Sequence, residues 1–287
     1  MTVSRPRRSA LYMPASNARA IEKAKTLACD VVILDLEDAV APEAKVEARQ
    51  LAVDAVRAGG FGAREVVIRV NGRDTPWGAA DLGAAAAAGA DAVLAPKVSS
   101  PEDLAHYAAA LEGKTRLWAM IETCAAMFRL DALARAAEAA RNDVWIVGAN
   151  DLVKEMRCRA RPDRAPLVPA LSLAVMAAHA NGIAILDGVY NDIPNLVGLA
   201  AECEQGLDLG MDGKSLIHPT HLEVANAAFT PTEAAVAWAR TVAAAFAAPE
   251  NAGKGVLKVD GKMVERLHLA EAERLIAISE AIAALNG

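Results

Sequence analysis

The chain has 287 residues, 54% of them hydrophobic, which is enough for one large α/β barrel or two smaller domains. A formal net charge of −6 gives no electrostatic reason to bind nucleic acid, and the basic start, residues 5–8, is too short to act as an arm. Four scattered cysteines without C-x-x-C spacing, no secretory signal and no apolar run long enough for a membrane span point to a reduced, cytoplasmic protein.

Short apolar runs alternate with longer Ala-rich amphipathic segments along the chain. The first run, residues 9–13, is closed by Pro14, and Ser16 or Asn17 can cap the helix that follows. The second is residues 31–36, after which Pro42 sits where the first turn of a helix tolerates proline. Residues 65–70 form the third, stopped by Asn71-Gly72. Residues 92–95 form the fourth, and Ser100-Pro101 opens the helix beyond it. Residues 116–121, 144–147, 183–186 and 214–217 complete eight. Eight β–α alternations in about 230 residues predict a (β/α)8 TIM barrel. An open doubly wound sheet is the alternative, and no G-x-G-x-x-G follows any strand to support it. Aromatic residues make up only 4%, so the core must be mainly Ala, Val, Leu and Ile.

After Thr230-Pro231 the pattern changes, which divides the chain into a barrel domain, 1–230, and a C-terminal extension, 231–287. The extension reads as a helix over 231–247, a hairpin over 256–264 turning at Asp260-Gly261, and a last helix over 265–285. Its glycines suit a movable lid or an arm reaching a neighbouring subunit, and a plain packing helix is the alternative.

In such barrels chemistry collects at the C-terminal strand ends. Those ends carry Tyr12, then Asp35, Glu37 and Asp38, then Arg69, Lys97, Glu122, Asp151, Asp187 and His218. Glu122 and Asp151 follow adjacent strands and can converge. Two carboxylates completed by water and substrate oxygens suit Mg2+, whereas zinc would want a Cys/His cluster. The alternatives are a structural pairing of Glu122 with Arg69 or Lys97, and Asp151 as a helix cap. The Arg69 fork suits a substrate carboxylate held bidentately, or a salt bridge to Glu37 or Glu122. No G-x-S-x-G elbow accompanies Ser215, so a serine triad is not expected.

The segments Arg8-Ser-Ala-Leu-Tyr-Met-Pro14, Val32-Ile-Leu-Asp-Leu-Glu-Asp38, Ile68-Arg-Val-Asn71, Ala95-Pro-Lys97, Ile121-Glu-Thr123, Gly148-Ala-Asn-Asp151, Asp212-Gly-Lys-Ser-Leu-Ile-His-Pro219 and Val259-Asp-Gly-Lys-Met-Val264 occur in this order over essentially the whole chain. Together they resemble the citrate lyase β-subunit (CitE-like) family, within the HpcH/HpaI group of metal-dependent barrel aldolases. The branch that cleaves free ketoacid aldols has a His where this chain has Leu-Glu-Asp. The resemblance implies a Mg2+-dependent enzyme that makes or breaks a C–C bond between a 2-oxo acid and acetyl-CoA or an acetyl carrier. It implies Glu122 and Asp151 as metal ligands, Arg69 on the 2-oxo acid carboxylate, and Glu37 and Asp38 holding metal-bound waters. Tyr12, Arg19 and Lys23 match positions that contact CoA, Lys97 joins the substrate-binding set, and a homotrimer is expected. Relatives carry Asp directly after the Gly-Lys-Met-Val element, as an acid/base supplied to a neighbouring subunit. Here that residue is Glu265, one methylene longer, and shifts near 1 Å can cost about a hundredfold in rate.

The resulting expectation is a lyase for malyl-CoA- or citramalyl-CoA-type thioesters. A thioesterase on the same substrates is the close alternative. A citrate lyase β component needing an acyl carrier protein is a third reading, and a non-catalytic scaffold barrel is the last.

Overall fold

The computed structural model describes residues 5–286. The chain falls into two compact units: Arg7–Ala227, and a smaller one from Ala228 onward.

The larger unit is a closed parallel barrel. Its strands are β1 (Ser9–Pro14), β2 (Val31–Asp35), β3 (Glu65–Arg69), β4 (Ala92–Ala95), β5 (Arg116–Ile121), β6 (Asn142–Val147), β7 (Ala184–Asp187) and β8 (Gly213–Leu216), in sequential order, with β8 pairing back onto β1. All eight expected strands are present. β4 and β5 have the expected bounds, and β6 starts two residues early, where Asn142 accepts the Trp145 indole N–H at 2.6 Å. The helices are α1 (Ala18–Ala24), α2 (Lys45–Ala58), α3 (Gly78–Ala88), α4 (Pro101–Ala109), α5 (Cys124–Met127), α6 (Leu130–Ala136), α7 (Ala149–Met156), α8 (Val168–Ala180), α9 (Leu196–Leu209) and α10 (Leu222–Ala228). Asn17, rather than Ser16, caps α1, and Ser100 forms a capping box with Asp103 ahead of Pro101. Pro42 opens a single 3₁₀ turn, Pro42–Ala44, before α2.

Strand bodies buried on both sides explain their near-continuous apolar runs. Val31, Ile33, Val67, Leu94, Trp118, Val144, Ile146 and Leu186 belong to one core cluster. At the ends of β7 and β8 the buried charges are paired. Asp187, at the end of β7, is wholly buried between Arg164 (2.7 Å) and Lys214 (2.9 Å), and Lys214 also reaches Glu202 at 2.7 Å. Burial alone would raise the Asp187 pKa, but the two cations outweigh it and lower it.

The smaller unit contains α11 (Glu233–Ala247), the antiparallel hairpin of β9 (Val256–Val259) and β10 (Lys262–Glu265), and α12 (Arg266–Asn286). The hairpin turns at Asp260-Gly261, both at positive φ. Leu257, Val259 and Val264 on one hairpin face pack with Ala239, Val242 and Ala272. Glu265 closes β10 instead of opening the last helix, and its backbone N–H donates to His268 Nδ1 at 2.9 Å.

The buried ion cluster gives a stability test. Lys214→Ala leaves Asp187 and Glu202 facing Arg164 alone, and chemical denaturation is expected to show a loss of about 3–5 kcal/mol.

Candidate active site

One cavity of about 320 Å³ opens at the C-terminal rim of the barrel, and every barrel strand except β4 and β7 contributes to its wall, with the loop after β7 also lining it. Its chemistry starts from a register pair. Asp35 and Arg69 stand opposite each other at the ends of β2 and β3. Arg69 Nε and Nη2 donate to the two Asp35 oxygens at 2.7 and 2.6 Å. Asp35 also accepts the backbone N–H groups of Glu37 (2.9 Å) and Ala39 (3.1 Å), so it shapes the turn that carries the other two acids. The Arg69 fork read from the sequence as suited to a substrate carboxylate thus has its Nε–Nη2 edge occupied by Asp35. Nη1 is shared among Glu37 (3.0 Å), Asp38 (3.3 Å) and the Met120 sulfur (3.6 Å), and the guanidinium lies 4.7 Å from the Tyr12 ring centroid. Burial works against the Arg69 charge, yet Asp35, Tyr12 and Glu37 more than compensate, and its pKa is raised well above normal.

Lys97 follows β4 at a φ of 52°. Its backbone N–H donates to Glu122 Oε1 at 2.8 Å, and its ammonium reaches Glu37 at 3.0 Å. It therefore links two acids that stand three strands apart. Glu122 pairs with the Lys97 backbone, not with either of the side chains considered as structural partners. Burial, the Glu37 field and then Asp151 push the Glu122 carboxyl up to about 7. Burial also raises Glu37, against the opposing pull of Arg69.

The other Glu122 oxygen lies against the loop after β6. A Cβ on Gly148 would sit 2.2 Å from Oε2, so only glycine fits there. Asp151 lies in the first turn of α7 and lines the same cavity as Glu122. It does not cap that helix, because the N-cap position is Gly148.

Among the described residues, no group of three or more His, Cys, Asp or Glu side chains is arranged to hold a metal. Mg2+ does not require one, since it keeps several waters and is held by one or two carboxylates plus substrate oxygens. The charge balance fits it as well. With all five acids ionised, Asp35, Glu37, Asp38, Glu122 and Asp151 outnumber the nearby cations Arg69, Lys97 and Lys45 by two negative charges on hard oxygen donors.

The remaining candidates sort by position. Tyr12 and Asp38 line the cavity; Arg19, Lys23, Glu37 and Lys97 do not. Arg19 and Lys23 are exposed one turn apart on α1. Glu265 belongs to the smaller unit. Lys45 and Asn71 escaped the sequence reading as site supports. The Lys45 ammonium, 6% exposed, donates to the carbonyls of Leu36 (2.9 Å) and Glu37 (2.8 Å), and Asn71 donates to Leu36 O at 2.8 Å. Asn71 stood in a recognisable Arg-Val-Asn strand end, but nothing in the local spacing of Lys45 marks it.

The sequence profile of the HpcH/HpaI aldolase/citrate lyase family matches residues 8–219. A (3S)-malyl-CoA thioesterase of Cereibacter sphaeroides is 49% identical over 98% of this chain and 97% of that protein. The citrate lyase subunit beta of Escherichia coli K12 is 33% identical over 94% of each. Among solved structures, the CitE protein of Mycobacterium tuberculosis in complex with magnesium, acetoacetate and coenzyme A aligns with a TM-score of 0.78 at 28% identity, over 97% of this chain and 99% of that one.

Two predictions follow from this geometry. Gly148→Ala is expected to displace the Glu122 carboxylate and weaken Mg2+ binding by at least about tenfold in titration calorimetry, with the barrel still folded by circular dichroism. With the Glu122 carboxyl pushed up to about 7, a Mg2+ ion held by it would have to compete with a proton below that pH. Affinity is therefore expected to fall about tenfold per pH unit below 7, to level off above it, and to be accompanied by proton release.

Proposed function

The chain belongs to the HpcH/HpaI aldolase/citrate lyase family, and on that footing we propose that it hydrolyses a malyl-CoA-type 3-hydroxyacyl thioester to the hydroxy diacid and CoA, with Mg2+ as cofactor. The observation that carries this reading is the 49% identity, over 98% of the chain, to a (3S)-malyl-CoA thioesterase. The site supports it with an acidic, partly enclosed cavity whose surplus charge matches one divalent cation.

Glu122 and Asp151 would hold the ion, with substrate and water oxygens as further ligands. When bound, Mg2+ supplies Lewis-acid polarisation and a template for the hydroxy-carboxylate end of the substrate. Arg69, whose Nη1 is shared among Glu37, Asp38 and the Met120 sulfur, lines the cavity and would lend its charge to the substrate carboxylate, with the Tyr12 ring packed against it. Glu37, fixed by Arg69 and Lys97, and Asp38 order water beneath it. Asp38 is the acid with room to accept a proton, since its side chain is 68% exposed and its ion pair to Arg69 is a long 3.3 Å. In hydrolysis a water gives its proton to this carboxylate as its oxygen bonds to the thioester carbon. The C–S bond then breaks and CoA leaves as the thiolate.

A second reading is C–C cleavage of the same thioester, favoured by the family and by the 33% identical citrate lyase subunits. There the base takes the substrate hydroxyl proton, the C–C bond breaks to a 2-oxo acid, and the acetyl-CoA enolate is protonated. Glu265 from a second copy of the chain would supply that proton, with the smaller unit as the lid of a homo-oligomer. Arg19 and Lys23 would meet the CoA portion. Four scattered free thiols support a reduced cytoplasmic setting, and no described helix is long and apolar enough to cross a membrane.

The test is incubation of the purified chain with Mg2+ and malyl-CoA, with products identified by mass spectrometry. Malate plus free CoA is the expected result; acetyl-CoA plus glyoxylate would install the lyase reading. Turnover only of a carrier-protein thioester would make the chain a citrate lyase β component. Glu122→Gln and Asp151→Asn are each expected to reduce Mg2+-dependent turnover by a factor on the order of 10³ or more, because each would lose a charged ligand.

A further inference from the structure

The glycine that makes room for Glu122 leaves a defect in the neighbouring helix. Gly148 is the N-cap of α7, and the helix starts with no side-chain cap bond. Ser, Asp or Asn at that position would typically stabilise a helix start by about 1 kcal/mol. None can stand there, because any Cβ would meet Glu122 Oε2 at 2.2 Å. The weakened first turn is the one that carries Asp151. The site thus requires a well-placed carboxylate on the least supported turn of its own helix.

A brace comes from the loop after β7. Asn191 Nδ2 donates to Asn150 Oδ1 at 2.8 Å, and Asn150 Nδ2 donates back to Asn191 Oδ1 at 3.3 Å. Asn150 immediately precedes Asp151, and both amides line the cavity. The loop is itself anchored at both ends. Gly188 N–H donates to Asp187 at 2.8 Å and Gly188 O accepts from Lys214 at 2.7 Å, which ties the loop's start to the buried ion cluster. His221, fully buried, bonds Ile193 O through Nε2 at 3.1 Å. A Cβ on Gly188 would lie 2.9 Å from the Ala149 Cβ, so the loop seats directly on the first residue of α7.

The geometry points to Asn191 as a positioning residue: its amide, clasped to Asn150, holds the uncapped first turn of α7 and so fixes Asp151 at the cavity. The inference rests on the reading of Asp151 as a Mg2+ ligand only for its functional consequence. The mechanical part stands on the chain alone. Outer partners that orient metal ligands commonly matter by 10- to 100-fold in affinity, and a lost hydrogen bond loosens a local element several-fold.

The experiment pairs two readouts on the full chain. Amide hydrogen exchange in the metal-free protein reads the α7 turn, residues 149–153, and Mg2+ titration calorimetry reads the site. Asn191→Ala is expected to speed exchange of that turn about fivefold and to weaken Mg2+ binding about tenfold, with the global Tm unchanged. Asn150→Ala should do the same, and the Asn150→Ala/Asn191→Ala double variant should be no worse than either single one, as for two halves of one clasp. Unchanged exchange in Asn191→Ala, or additive effects in the double variant, would overturn the clasp. A wild-type chain that binds no Mg2+ would remove the metal reading, and exchange would still decide whether the turn is held by Asn191.

Discussion

The site depends on one pair of charges, Asp35 and Arg69, facing each other across β2 and β3. Five carboxylates gathered at one rim repel one another, and desolvation raises the cost. Arg69, 6% exposed, is the cation at the centre of that group, and it stays in place because Asp35 takes two of its nitrogens at once. The same Asp35 oxygens accept the backbone N–H groups of Glu37 and Ala39. One carboxylate therefore holds both the charge that tolerates the acid cluster and the turn that displays it. Lys45 grips the carbonyls of that turn from the other side. The remaining negative excess falls on Glu122 and Asp151, which share the field of Lys97 with Glu37.

The barrel was legible because its signals are local. Apolar runs of four to six residues, closed by Pro, Asn-Gly or a capping Ser, correspond to strands with at most one position not buried. The charged strand ends were legible for the same reason, and Asp35, Arg69 and Glu122 stand where the runs stop. What stayed hidden is how those ends pair. Asp35 read as one of three acids at the end of its run, whereas the structure gives it the Arg69 edge that a substrate carboxylate could otherwise have used. Lys45 opens a helix eight and nine residues beyond the Glu37 and Leu36 carbonyls it reaches, and no spacing rule links a lysine at a helix start to the carbonyls of the turn before it. Asn150 and Asn191 are 41 residues apart, and no spacing rule connects two amides that meet across separate βα loops.

Gly148 shows how a local rule is broken where two requirements collide. Helix chemistry asks for a polar side chain at the position before α7, and the Glu122 carboxylate excludes any side chain there. The outcome is a helix start held from outside, by a loop whose own root is the Arg164–Asp187–Lys214 cluster. Buried ion pairs contribute little net stability over apolar replacements, but they fix geometry when breaking them leaves a stranded charge. Here that fixed geometry is passed through Gly188 to the wall of the cavity.

The same construction bears on which bond the enzyme breaks. A covalent acyl intermediate would need a nucleophile facing the substrate, and the serine in the cavity wall is committed: Ser215 is 1% exposed and its hydroxyl donates to Asp187 O at 2.9 Å. No cysteine lines the cavity. On the proposed reading, hydrolysis would run by attack of water with a carboxylate as base, since neither a serine nor a cysteine is placed to form an acyl intermediate. C–C cleavage asks the same carboxylates to take a proton from the substrate hydroxyl instead. The two outcomes share their acids, their metal and their arginine. They differ in whether an ordered water reaches the thioester carbon before an acid reaches the enolate. If Glu37 and Asp38 order the water and Glu265 donates the proton, as proposed, these are the two places where the outcome could change without rebuilding the barrel.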